Sequence, residues 1–196
     1  MTEQLARGRP RSFDVEKALQ SAMHAFWAEG FAATSYQSLE NVTGLHRQSL
    51  IYAFGDKREM FLQALDLYAR ERVGEIVAIL EREGSPLANV EAAFASWLED
   101  VEARKGCLMV NTAGELGGAN PRAAAAIARA TERLRRAFSA AFERARQAGE
   151  LRRGCVPQDL ACLAVAAGDG ALLHARSAEA AEAAARAFRA LLATLR

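Results

Sequence analysis

Apolar side chains recur every three or four positions along almost the whole chain, and no stretch sustains the alternation of a half-buried strand. The pattern therefore predicts helices throughout. Val15, Leu19, Ala22 and Phe26 share one face of a first helix, with Asp14 placed to cap its start and Gly30 to end it. Ser35 is placed to cap a short second helix carrying Leu39 and Val42, which stops at Gly44, and a third runs from about Arg47 to Phe54. After the break at Gly55-Asp56 a long fourth helix is expected from about Lys57 to Arg82, with Phe61, Leu65, Tyr68 and Ile76 along one side. Gly84-Ser85-Pro86 opens a fifth, to about Ala103, whose Phe94, Trp97, Leu98 and Val101 face inward. A sixth is expected at about Cys107–Leu116. A seventh follows the break before Pro121 and keeps Ile127, Leu134, Phe138, Ala141, Phe142 and Ala145 in helical phase until Gly149. Pro157 starts an eighth, to about Arg176, and Ser177 is placed to cap a ninth with the stripe Ala184, Phe188, Leu191, Leu192 and Leu195. The expected fold is all-α with nine helices. Residues 1–56 form an N-terminal arm with a three-helix unit, and residues 57–196 a larger bundle.

The 196 residues are 51% hydrophobic and 25% charged, an ordinary globular balance that excludes disorder and fibrous classes. Stretches free of charged side chains, such as Ala18–Ala28 and Leu160–Gly168, are too short for a bilayer crossing, which needs about 20 residues. The polar, basic start lacks the apolar core of a secretion signal, so a cytoplasmic location without membrane attachment is expected. Cys107, Cys155 and Cys162 lack paired spacing and read as small buried thiols, and His24, His46 and His174 are scattered. Neither a metal nor another cofactor is expected. No nucleophile elbow, phosphate-binding loop or zinc-protease motif occurs, so catalysis is not expected either.

The net charge of +1 carries no signal for nucleic acid, so any such case rests on where charges sit. In Ser35–Phe54 two short helices flank a turn at Gly44, where a left-handed backbone favours glycine. His46, Arg47, Gln48 and Ser49 crowd the start of the second helix. A helix start bearing such groups suits the major groove, where base edges present donors and acceptors, although a solvated hairpin has the same pattern.

The surrounding residues narrow the choice. F-D-x-x-x-A-L-x-x-A-M-x-x-F-W-x-x-G-F at Phe13–Phe31, T-S-Y-Q-S-L at Thr34–Leu39 and G-L-H-R-Q-S-L-I-Y-A-F-G-D-K-R-E-M-F-L at Gly44–Leu62 resemble, in order and spacing, the DNA-binding domain of the TetR family of bacterial regulators. The resemblance implies a homodimer that places two recognition helices in successive major grooves of a palindromic operator, and an effector bound in the C-terminal bundle that changes their separation. It implies base or phosphate contacts from Arg47, Gln48 and Ser49, with Arg47 and Gln48 as base readers, and His46 at the same helix start is a further candidate for contact with DNA. Backbone contacts are implied for Thr34 and for Lys57. One position departs from the family: Ile51 stands where a phosphate-contacting tyrosine is usual. Tyr52 lies about 100° further round the helix and reads either as a backbone contact or as a packing aromatic. Arg7, Arg9 and Arg11, around Gly8 and Pro10, form a basic arm suited to a narrow minor groove or a solvated tail.

The bundle is rich in large apolar groups. Phe61, Leu65, Tyr68, Phe94, Trp97, Met109, Phe138 and Phe142 are candidates to line an effector pocket, with Thr112, Glu115 and His174 as polar anchors, or else they make core and solvated face. Leu160, Ala164, Ala167, Gly168 and Ala171 on the eighth helix, with Phe188, Leu191, Leu192 and Leu195 on the ninth, are candidates for a dimer interface, unless the ninth helix closes its own core. A ligand-responsive regulator of transcription, most simply a repressor released by an inducer, is the leading expectation; the alternative is a helical small-molecule-binding protein without DNA binding.

Overall fold

The computed structural model describes residues 13–104, 106–175 and 180–195, and within them every regular element is a helix. In chain order these are α1 Val15–Glu29, α2 Tyr36–Thr43, α3 Arg47–Phe54, α4 Lys57–Leu80, α5 Pro86–Glu102, α6 Leu108–Leu116, α7 Pro121–Gln147, α8 Pro157–Leu173 and α9 Ala180–Leu195. Among the described residues no helix is long and apolar enough to cross a membrane.

Local chemistry sets the ends. The Asp14 carboxylate accepts from the amides of Glu16 and Lys17, Ser35 from Ser38, and Asp56 from Glu59, so α1, α2 and α4 each open on a side-chain oxygen that satisfies otherwise orphaned donors. Gly44 closes α2 at φ 69°, ψ 14°, the left-handed cap where a Cβ is disfavoured. Helix α8 ends three residues earlier than the periodicity predicts, at Leu173, and the expected cap Ser177 lies outside the described residues.

One continuous hydrophobic cluster runs from Ala18 in α1 to Leu195 in α9. Within α1–α3 it consists of Ala22, Phe26, Leu39, Leu50 and Phe54, which the first turns of α4 cover with Met60 and Phe61. At 24 residues, about 36 Å, α4 reaches from this small unit deep into the bundle. There Phe94, Trp97, Phe138 and Phe188 stack on one another with ring centroids 4.5–6.2 Å apart.

Two expectations are corrected by this packing. Only Cys107 is a buried thiol; Cys155 is half-buried and Cys162 exposed, because it falls on the outer side of α8. The stripe of Phe188, Leu191 and Leu195 closes the chain's own core, as does Ala164. Gly168 belongs inside as well: a Cβ there would sit 2.4 Å from the Trp97 ring, so the glycine lets the indole lie flat against α8. Leu160, Ala167, Ala171 and Leu192 are half-buried. The outward face of α8 is made by Leu163, 52% exposed, Ala166, Gly170 and Leu173, 54% exposed, at the spacing of one helical stripe.

Candidate nucleic-acid interface and effector cavity

The turn between α2 and α3 is fixed by side chains from within it. Thr43 donates its hydroxyl to the Leu39 carbonyl at 2.6 Å and accepts from the Leu45 amide at 3.2 Å. His46 occupies the N-cap of α3 without capping it; the Glu40 carboxylate from α2 accepts from the Arg47 amide at 2.6 Å instead. A carboxylate at this positive helix end is favourable and locks α3 to α2. With Leu50 and Phe54 buried, the opposite side of α3 projects His46, Arg47, Gln48, Ile51 and Tyr52 outward.

These side chains are largely unengaged by the fold. The His46 side chain is 99% exposed and 4.0 Å from Glu40. The Arg47 guanidinium lies over the Tyr36 ring, 4.5 Å from its centroid, which holds its fork at the start of the helix. Tyr52 is 78% exposed, so its reading as a packing aromatic does not hold. Ser49 is half-buried.

Two residues expected to contact the DNA backbone are turned inward. Thr34 is fully buried, its hydroxyl donating to the Gly30 carbonyl at 2.6 Å; Ser35, the next residue, supplies the helix cap, which turns Thr34 towards the core. Lys57 reaches back across the same turn. Its ammonium donates to the carbonyls of Phe31 at 2.9 Å and Thr34 at 2.8 Å, and lies 4.6 Å from the centre of the Phe31 ring. It braces the entry to α2. Arg7, Arg9 and Arg11 lie outside the described residues.

Glu115 is the residue whose position sequence reasoning misjudged most. Expected as a pocket anchor, it projects from the end of α6 to the same turn, where it accepts from the amides of Phe31 at 3.0 Å and Ala32 at 2.7 Å. A Cβ at Gly30 would come within 3.1 Å of its carboxylate, so glycine at this position, with φ 83°, leaves room for the contact. The turn of residues 30–34 is thus held by α4 on one side and α6 on the other.

Deeper in the bundle a cavity of about 20 Å³ lies among Tyr68, Trp97, Met109 and Leu134, with polar groups from Arg72, Asp100, Cys107 and Asp169. Tyr68, Trp97 and Met109 were expected there. Phe94, Phe138 and Phe142 pack as core, Phe61 packs edge-to-face against Phe26 and Phe31 beside the small domain, and Leu65 is buried. Thr112 returns its hydroxyl to the Leu108 carbonyl of its own helix, and His174 is exposed at the end of α8. Arg72, Asp100 and Asp169 were missed. Only the helical spacing of Tyr68 and Arg72 signals that one of them shares the cavity.

Burial and ion pairing set the charge states around this cavity. Burial, and secondarily the neighbouring Cys107, pushes the Tyr68 hydroxyl far above its ordinary value, and burial likewise raises the Cys107 thiol, so both stay neutral side by side. Burial opposes the Arg72 charge, but its hydrogen-bonded ion pairs with Asp100 and Glu75 outweigh that and hold its pKa above the ordinary value. Desolvation raises the Asp169 carboxyl.

A helix-turn-helix whose outward helix carries hydrogen-bonding side chains, joined by one long helix to a larger bundle, is the arrangement of helix-turn-helix DNA-binding proteins. Residues 85–191 match the family described as tetracyclin repressor-like, C-terminal domain. The chain is 33% identical over 147 residues to the HTH-type transcriptional regulator YezE of Bacillus subtilis (strain 168), covering 74% of this chain and 76% of that protein. It is 34% identical over 110 residues to the HTH-type transcriptional repressor ComR of Escherichia coli (strain K12), covering 54% of this chain and 52% of that protein. A cysteine mutant of the TetR family regulator CifR, solved in complex with 26-bp double-strand operator DNA, has the same fold with a TM-score of 0.81 at 24% identity, over 96% of this chain and 100% of that one. The chain belongs to the TetR family of DNA-binding transcriptional regulators.

Proposed function

We propose that the protein is a homodimeric repressor that binds a palindromic operator through α3 and is released by a small-molecule effector in the bundle. The observation that carries this reading is the outward face of α3, where Arg47, Gln48, His46 and Tyr52 stand exposed on a helix fixed by the Glu40 cap. Arg matches the acceptors of guanine and Gln the donor-acceptor pair of adenine, so Arg47 and Gln48 read bases while Ser49 and Tyr52 contact the backbone. The arm of Arg7, Arg9 and Arg11 follows the minor groove. The division falls at residue 56/57, with no catalytic activity in either part and the protein acting in the cytoplasm.

Dimerisation uses the outward face of α8 around Leu163, Ala166, Gly170 and Leu173, with Leu192 of α9 beside it. An apolar stripe of this kind favours a self-complementary four-helix contact.

The cavity supports an effector that acts by displacement. About 20 Å³ holds roughly one water, far below the several hundred Å³ of a small-molecule pocket, so a ligand must move the side chains that line it. Tyr68 lies midway along α4 and Met109 at the start of α6, and the first residue of α4, Lys57, and Glu115 near the end of α6 hold the turn before α2. Movement in the cavity thereby reaches the recognition helix. Linkage requires that the effector bind the operator complex more weakly by the factor with which it weakens operator binding.

The test is enrichment from a random duplex library. The proposal expects one two-fold symmetric sequence with half-sites about one helical turn apart, and binding that weakens steeply with salt. No enrichment contradicts it.

A further inference from the structure

The outward face of α3 carries one side chain that has no hydrogen bond to offer. Arg47 and Ile51 are one turn apart on one row, Gln48 and Tyr52 on the next, and Leu50 and Phe54 are buried behind them. Ile51 is 41% exposed. The core beneath is closed by Leu39, Leu50 and Phe54, so the exposed part of Ile51 adds nothing to it. Helix propensity does not favour isoleucine here either, since a β-branched residue loses rotamer freedom in a helix. The exposed part of the side chain is therefore available for a contact outside the chain.

Base edges offer such a contact. Among the groups that base pairs display in the major groove, the 5-methyl of thymine is the apolar one. Ile51 is continuous with the base-reading pair Arg47 and Gln48, and lies about 6 Å along the helix axis from Arg47, which is on the order of two base-pair steps of 3.4 Å. We propose that Ile51 determines specificity by packing on the 5-methyl of one thymine in each half-site, within about two steps of the base read by Arg47. This rests on the reading that α3 enters the major groove.

The experiment uses the full chain and an operator enriched from random duplexes. Each thymine of both half-sites is replaced in turn by deoxyuridine, which removes the methyl and keeps the pairing. Wild type should lose about 4-fold in affinity per half-site at one symmetry-related thymine, and about 15-fold when both are replaced. Ile51→Ala, folded by circular dichroism because the position is exposed, should bind the thymine and deoxyuridine duplexes alike while still responding to the base read by Arg47. Ile51→Val, which keeps a branched apolar side chain, should retain most of the discrimination. A wild type indifferent to every methyl overturns the assignment, as does an Ile51→Ala protein that keeps the full methyl effect. If no duplex is enriched, groove entry by α3 fails first and the assignment falls with it; an enriched duplex without methyl dependence sinks the assignment alone.

Discussion

The small N-terminal unit and the bundle treat their functional groups in opposite ways. Helices α1–α3 bury a few aliphatic and aromatic residues and leave Arg47, Gln48 and Tyr52 in solvent, so the surface proposed to read DNA is complete before any partner arrives. The bundle stacks Phe94, Trp97, Phe138 and Phe188 into a closed core and folds Tyr68, Arg72, Asp100 and Cys107 around a space fit for roughly one water. One region is preorganised and the other must open. For the proposed function this asymmetry is useful: α3 would meet DNA as it stands, whereas an effector would have to open the cavity, with α4 and α6 placed to pass that movement to the turn of residues 30–34.

The widest separation between the regions should appear in stability. Phe138→Ala, which empties a fully buried aromatic site, should cost about 3–5 kcal/mol in urea unfolding, while Tyr52→Ala should stay within about 0.5 kcal/mol. A comparable loss at Tyr52 would mean that the α3 face is part of the core.

Next comes the link between two copies. Leu163→Glu puts a carboxylate into the apolar stripe of α8 and should yield folded monomers in sedimentation, with operator affinity lowered by about 10²–10⁴ because the half-sites are no longer tethered. A dimer that persists moves the interface elsewhere. Gly168→Ala tests how tightly the bundle is closed: the added methyl meets the Trp97 ring and should cost about 1–3 kcal/mol through overpacking.

The junction should respond more gently. Glu115→Gln keeps the shape but weakens charge-assisted hydrogen bonds to the Phe31 and Ala32 amides, so those amides should exchange with solvent faster, consistent with a loss of about 1 kcal/mol. Unchanged exchange would remove Glu115 from the coupling route.

The smallest effect is a pH dependence. Because desolvation raises the Asp169 carboxyl above its ordinary value of 3.8, the folded chain binds more protons than the unfolded one in the window above that value, and stability falls as pH rises through it. Asp169→Asn removes this penalty and should raise the melting temperature at neutral pH, with the gain shrinking towards pH 4. An equal gain at both ends would point to another cause.

The order and type of the helices, and the ends marked by local caps such as Asp14, Ser35, Gly44 and Pro86, were legible, whereas the end of α8 was not. The α3 face was legible too, since on an eight-residue helix with Leu50 and Phe54 inside, the positions on the opposite side, Arg47, Gln48, Ile51 and Tyr52, must point out. Thr34, Lys57 and Glu115 were not. Their side chains are turned by a backbone turn whose shape depends on α6, over 80 residues away, and no periodicity encodes that contact. The same reason hid the split between core and cavity aromatics. Phe138 and Tyr68 follow the same helical period, and only the packing of α5, α7 and α9 decides which one meets empty space.

The central claim is that the exposed start of α3 reads base sequence, and the most direct test compares binding of wild type and an Arg47→Ala/Gln48→Ala variant to the enriched operator and to a scrambled duplex at fixed salt. Each bidentate contact is worth about 1–3 kcal/mol of discrimination, so the variant, with its helical circular dichroism intact, should bind both duplexes with nearly equal affinity. A folded variant that still prefers the operator as strongly as wild type does would contradict the account.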